Sequence, residues 1–230
     1  AMVMAMIVIG AITRLTESGL SMVEWRPLIG ILPPLSEAEW ERVFGLYRET
    51  PEFQMKNSWM ELADFKGIFF WEWFHRFWGQ VIGAVYLLPL LYFQFTKRLT
   101  GRALLAGWGL FALVCAQGVM GWYIVESGLV NEPNVSHYRL AAHLALAFTL
   151  LGLTVWQAMR FMGAGGEGHF CLFRHGCFTL GFLAITILWG AFVAGLDAGL
   201  VYNEFPLMGD GFLPHAYNHL SPFWLNAFEN

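Results

Sequence analysis

The sequence has 230 residues, 57% of them hydrophobic and 13% charged, with a net charge of −4. Soluble domains carry about 25% charged residues, so a chain this apolar suits hydrocarbon better than water. The mild acidity gives no reason to expect nucleic acid.

Ala1–Ile12 is an apolar run shorter than the ~20 residues a span needs. The first helix is therefore expected to be truncated and the chain to be a fragment. The loop Thr13–Lys66 follows, punctuated by Arg26-Pro27 and Leu32-Pro33-Pro34. Within it Ser36-Glu37-Ala38-Glu39 carries a helix-start signature at Ser36, and a small ordered cap is expected there. Four long apolar runs come next, about Gly67–Phe95, Ala103–Val125, Tyr138–Met162 and His175–Leu196. Helices are the spanning form such runs take, because lipid satisfies no backbone polar group. The fold expected is an all-α, polytopic transmembrane helix bundle with about five spans present.

Short-loop charge sets the orientation. Lys97, Arg98 and Arg102 lie between spans two and three; Arg160 and Arg174, against Glu167, lie between spans four and five. The turn Glu126–Pro133 and the tail after Leu200 hold acids but no Lys or Arg. By the positive-inside rule the Lys/Arg loops face the cytoplasm, or a mitochondrial matrix, and the 13–66 loop faces outward.

An internal repeat is also visible. Glu17-Ser18-Gly19-Leu20 follows span one, Glu126-Ser127-Gly128-Leu129 span three, and Asp197-Ala198-Gly199-Leu200 span five. The first and last match further at a constant offset of 180, including Gly10/Gly190, Ala11/Ala191 and Glu24/Glu204. A glycine there suits a helix end that turns sharply. A shared helix-terminating signal accounts for the short motif, and duplication accounts better for the longer match. Duplication divides the chain into a four-helix half over 1–162, containing the 13–66 loop, and the start of a second half over 163–230, with a fifth span at 175–196 and a tail. About three further spans are then expected beyond Asn230.

Ionisable residues inside spans are costly and mark sites. Span two holds Glu72, His75 and Arg76; Glu72 and His75 share a helix face. Span four holds Arg139 and His143, likewise one turn apart. His75 is eight residues beyond Gly67 and His143 six beyond His137, a depth difference of about 3 Å at ~1.5 Å per residue. Two imidazoles at matched depth on neighbouring antiparallel helices suit an iron porphyrin better than zinc, since no thiolate accompanies them. Gly79, Gly83, Ala141 and Ala142 leave room for a flat ring, and Arg76 and Arg139 suit its propionates. Glu72 reads either as a proton carrier or covalent participant, or as a group that orients His75 or pairs with Arg76.

The other candidates read as ordinary. His137 caps or lines the interface; His169, His175, His215 and His219 read as solvated loop residues. Cys115 reads as a packed small hydrophobe, and Cys171 and Cys177 lack zinc-site spacing.

The segments TRLTESGLSMVEW, EWFHRFWGQVIG, QGVMGWYIVESGL, VSHYRLAAHL and GAFVAGLDAGLVYNEFPLMG, in this order over nearly the whole chain, resemble the heme A synthases of α-proteobacteria and mitochondria. The resemblance implies eight spans in two four-helix halves, each with a histidine pair. It implies oxidation of a porphyrin methyl of heme O to the formyl of heme A, by successive hydroxylations. His75 and His143 match the ligands of the first pair, and Glu72 the glutamate tied to the chemistry. The second pair, with a heme b cofactor, is expected in a C-terminal half beyond FEN. The cysteine pair of some bacterial relatives is absent from the 13–66 loop. The partners expected are the heme O substrate and the lipid bilayer of a bacterial or mitochondrial inner membrane. A heme O synthase, an electron donor and a second copy of the chain are further candidates. A b-type cytochrome relaying electrons and a heme carrier for oxidase assembly are the competing functions.

Overall fold

The computed structural model describes all residues except 26–28, 129–134, 165–167, 216 and 230. Its helices are α1 (Met2–Leu15), α2 (Glu37–Arg48), α3 (Leu62–Phe95), α4 (Gly101–Gly128), α5 (His137–Phe161), α6 (Phe170–Gly195) and the short α7 (Asn226–Glu229). α3 to α6 are each long and apolar enough to cross a membrane, and α1 is a shorter apolar helix. Among the described residues there is no strand, only an isolated bridge between Met208 and Gly211. The all-helical, polytopic architecture is the one expected.

The chain divides into two compact units, residues 1–135 with 146–165, and residues 136–145 with 166–230. α5 gives its first turns to the second unit and the remainder to the first.

In the first unit α1 and α4 both pack on α3. Glycine brings the helices close: a Cβ at position 107 would lie 2.8 Å from Leu90 Cδ1. Beside it the Tyr86 hydroxyl donates to the Gly107 carbonyl at 3.1 Å, and Trp108 Nε1 to Gln94 Oε1 at 2.8 Å. On the α1 side Trp78 Nε1 donates to the Met2 carbonyl at 3.2 Å. α3 begins five residues before the apolar run suggested, because Glu61 and Asp64 form a capping box that satisfies first-turn N–H groups.

The 13–66 segment forms an ordered cap. α2 starts where expected, with Ser36 Oγ accepting from Glu39 N–H at 3.3 Å. Its apolar face sets Phe44 and Tyr47 against Phe65, Ile68 and Phe69 of α3. Phe44 and Phe65 lie 5.0 Å apart, and Trp40 stands edge-on to Phe69 at 5.1 Å. Such pairs add about 0.5–1.5 kcal/mol each beyond their buried area, which anchors the cap to the helix carrying the site.

Three expectations change. The sharp turns after α1 and α6 fall not on Gly19 and Gly199 but on the acids before them: Glu17 has φ 50° and Asp197 φ 53°. At Glu17 the N–H bonds to Arg14 C=O and Ser18 N–H to Thr13 C=O, a complete Schellman closure. In the middle motif α4 runs through Glu126, Ser127 and Gly128, and Leu129 lies outside the described residues. Leu20 of the first motif packs on Gly128 of the second, where a Cβ would lie 3.0 Å from Leu20 Cδ2. His175 is helical rather than loop, because α6 begins at Phe170 with His169 as its N-cap. Cys115 is exposed on α4 rather than packed, as are Cys171 and Cys177 on α6.

Candidate functional site

α3 carries three of the expected site residues on adjoining turns. Glu72 is buried, 4% exposed, and accepts from Arg76 Nε at 2.5 Å. The i,i+4 spacing sets the two side chains over one another. Nη1 and Nη2 of Arg76 reach back to the cap, donating to the carbonyls of Glu24 at 3.3 Å and Met22 at 3.0 Å. Its guanidinium also lies 5.1 Å from the centroid of the Trp25 ring. These contacts engage three of the five guanidinium N–H groups.

His75 lies between Glu72 and Arg76 in sequence and turns its ring toward α1. The ring lies against Gly10, where an added Cβ would sit in ordinary van der Waals contact, 3.4 Å from Nε2 and 3.8 Å from Cδ2. Gly79, one turn on, meets only the flexible end of Met6.

Arg139 and His143 occupy successive turns of α5 in the second unit, both half-buried, beside the buried Ala141. At the start of the same helix His137 is buried. Its Nε2 lies 3.7 Å from the Glu229 carboxylate, which also accepts from the Tyr138 hydroxyl at 2.7 Å. Close packing of α6 on this point depends on Gly195, whose missing side chain would overlap His137. The structure thus groups Glu72, His75 and Arg76 in one unit and Arg139 and His143 in the other. No group of three or more His, Cys, Asp or Glu side chains with metal-ion geometry occurs among the described residues.

Sequence reasoning missed the backbone acceptors Met22 and Glu24 and the glycine facing His75. Both Gly10 and Glu24 are positions of the 180-residue match, which was the available signal.

In the cap Arg42 donates to Glu24 Oε2 at 2.8 Å and makes two bonds to Glu39, at 3.0 and 2.7 Å. Both carboxylates push the Arg42 guanidinium above its ordinary range. Deeper in, Glu52 accepts from the Tyr47 hydroxyl at 3.0 Å, and Tyr47 in turn accepts from Asn57 Nδ2 at 2.8 Å. Burial pushes the Glu52 carboxyl up to about 7; the Tyr47 bond opposes this, Glu17 adds to it, and Lys56 and Arg14 oppose it. Burial, with the neighbouring Glu52, also raises the Tyr47 phenol.

Comparison with known proteins decides the family. Residues 1–230 match the COX15-CtaA family, cytochrome oxidase assembly protein. The chain belongs to that family. It is 48% identical to a protein named heme A synthase from Rhodospirillum centenum, over 100% of this chain and 62% of the relative. It is 45% identical to a heme A synthase from Nitrosospira multiformis, over 100% of this chain and 66% of the relative. To human heme A synthase COX15 it is 44% identical, over 97% of this chain and 57% of the relative. The chain therefore spans about two thirds of the length of the curated relatives it matches. No solved structure matches. Family membership and four membrane-length apolar helices make this an integral membrane protein.

Proposed function

We propose that the complete protein is a membrane oxidoreductase of heme A biosynthesis, converting heme O to heme A by oxidising a porphyrin methyl to a formyl group. The observation that carries this reading is Glu72: a carboxylate 4% exposed, one turn from His75 in an apolar helix, and held by Arg76. Pairing with Arg76 alone would suit an electron relay as well; the burial of the carboxylate one turn from His75 is what supports chemistry at this point. The relatives' names and the family support the same class of chemistry.

The residue types suit a porphyrin substrate, two imidazoles for its iron and two guanidinium groups for its propionates. His75 presents Nε2 on the α1 side of α3, against Gly10, and a neutral imidazole is a good axial donor to iron. We assign His75 and His143 as the axial pair of the substrate heme. Arg139, and the N–H groups of Arg76 not engaged by Glu72 and the cap, hold its propionates. Glu72 handles protons at the carbon being oxidised, and Arg76 fixes where its carboxylate stands. A heme b cofactor, which supplies electron transfer, is placed outside residues 1–230. A heme O synthase delivering substrate and a separate electron donor complete the proposed set of partners. The turn at Lys97–Arg102 is placed on the cytoplasmic or matrix side of the inner membrane, and the cap on the opposite side.

Glu72→Gln in the complete protein tests this. Heme A formation is expected to cease, read by pyridine hemochrome spectra, while bound heme is retained. His75→Ala and His143→Ala should each remove the low-spin bis-imidazole absorption of the N-terminal half. Unchanged product in Glu72→Gln would turn the reading toward an electron relay or heme carrier. A low-spin contribution from the N-terminal half retained in both histidine variants would remove the ligand assignment.

A further inference from the structure

The segment Met22–Trp25 belongs to a chain of contacts running from the cap helix to Glu72. On α2, Arg42 binds the Glu24 carboxylate at 2.8 Å while Glu39 grips the same guanidinium through two bonds. The Glu24 and Met22 carbonyls then accept from the two terminal nitrogens of Arg76, and Arg76 Nε ends on the buried Glu72. Glu24 thus belongs to both halves of the chain, through its side chain on one and its backbone on the other. Beside the segment lies an open pocket of about 470 Å³, lined by Met22, Glu24, Pro33, Arg42, Leu46 and Phe69. Met22 and Val23 pack on the Phe44–Phe65 cluster, while on the pocket side the polar ties of Glu24 hold the segment.

We propose that Glu24 and Arg42 are positioning residues for Glu72: the cap helix fixes Arg76 through the Glu24 backbone, and Arg76 fixes the carboxylate. This rests on the role given to Glu72 above. The physical reason is the rigidity of the guanidinium fork. Its three nitrogens lie in one plane, so when the carbonyls on Nη1 and Nη2 shift, the plane follows and Nε leaves the Glu72 carboxylate. Such a coupling is reciprocal: loosening Glu72 must also loosen the segment.

The test uses the complete protein in membranes and reads both directions. Arg42→Ala should lower kcat for heme O oxidation about tenfold, the scale of a sub-ångström misplacement of a reacting group, with bound heme and KM unchanged. Arg42→Lys, which keeps a cation beside Glu24, should recover most of that loss. Amide hydrogen exchange across residues 20–25 should accelerate in Arg42→Ala and, through reciprocity, in Glu72→Gln. Exchange there that ignores either substitution overturns the proposal, as does a wild-type kcat in Arg42→Ala. Full turnover in Glu72→Gln would instead remove the role of Glu72, while the exchange measurements would still decide whether cap and carboxylate are coupled.

Discussion

Glu17 and Asp197 stand 180 residues apart in matching sequence and share a left-handed backbone, φ 50° and 53°, yet their surroundings are opposite. After Glu17 the chain is packed: Ser18 is 0%, Leu20 3% and Ser21 1% exposed. After Asp197 it is open, with Leu200 87% and Val201 71% exposed. The turn is therefore set locally, by the helix end and its closing hydrogen bonds. Burial is set by what packs nearby. α3 supplies the Ile68 carbonyl, which accepts from the Ser21 hydroxyl at 3.4 Å, and α4 supplies Gly128 beneath Leu20.

The sharpest way to break the comparison is to truncate the matched leucines. Leu20→Ala should destabilise the first unit by about 3 kcal/mol, the usual cost of emptying a well-packed aliphatic site. Leu200→Ala should stay within about 0.5 kcal/mol. Thermal unfolding in detergent, with amide exchange to locate the loss, separates the two. Equal effects would mean that the second copy is packed in solution too.

A smaller effect belongs to the cap alone. Glu52 is 5% exposed and its folded pKa of about 7 lies above its ordinary 4.5. The folded cap thus keeps a proton that the unfolded chain releases. Stability falls as pH rises from about 4.5 to about 7 and is level above that. Glu52→Gln keeps an acceptor for Tyr47 and removes the ionisation, so it should stabilise the cap by up to about 2–3 kcal/mol above pH 7 and by little below pH 4. Limited proteolysis of the 36–61 segment across pH 4–8 reads this directly. A gain independent of pH would show that Glu52 acts through packing rather than charge.

The parts of this molecule legible in its sequence are those written in side-chain pattern. Apolar length marks α3 to α6, Ser36 marks the start of α2, and i,i+3 and i,i+4 spacing sets Glu72 and Arg76 on adjoining turns. What was not legible depends on the backbone or on distant partners. The Met22 and Glu24 carbonyls that hold Arg76 are groups every residue possesses. Glu52 lies in a polar loop, and only the fold buries it under Tyr47. The left-handed turns were expected on glycine because glycine adopts them without strain. An acid there costs stability, and nothing in the sequence pattern shows that the cost is met.

That cost supplies the finest test of the comparison. A non-glycine residue in the left-handed region loses about 1 kcal/mol relative to glycine. If both turns are local, Glu17→Gly and Asp197→Gly should each stabilise their helix end by a similar amount, about 0.5–1 kcal/mol. The two differ in one respect, since the Glu17 charge helps to raise the Glu52 carboxyl. Above pH 7, where Glu52 is charged, Glu17→Gly should therefore gain more than Asp197→Gly. Below pH 4, with Glu52 protonated in both folded and unfolded chains, the two gains should converge. Paired unfolding measurements at pH 4 and pH 8 resolve this. A Glu17→Gly variant less stable than wild type at both would show that the acid is held for a contact of its side chain.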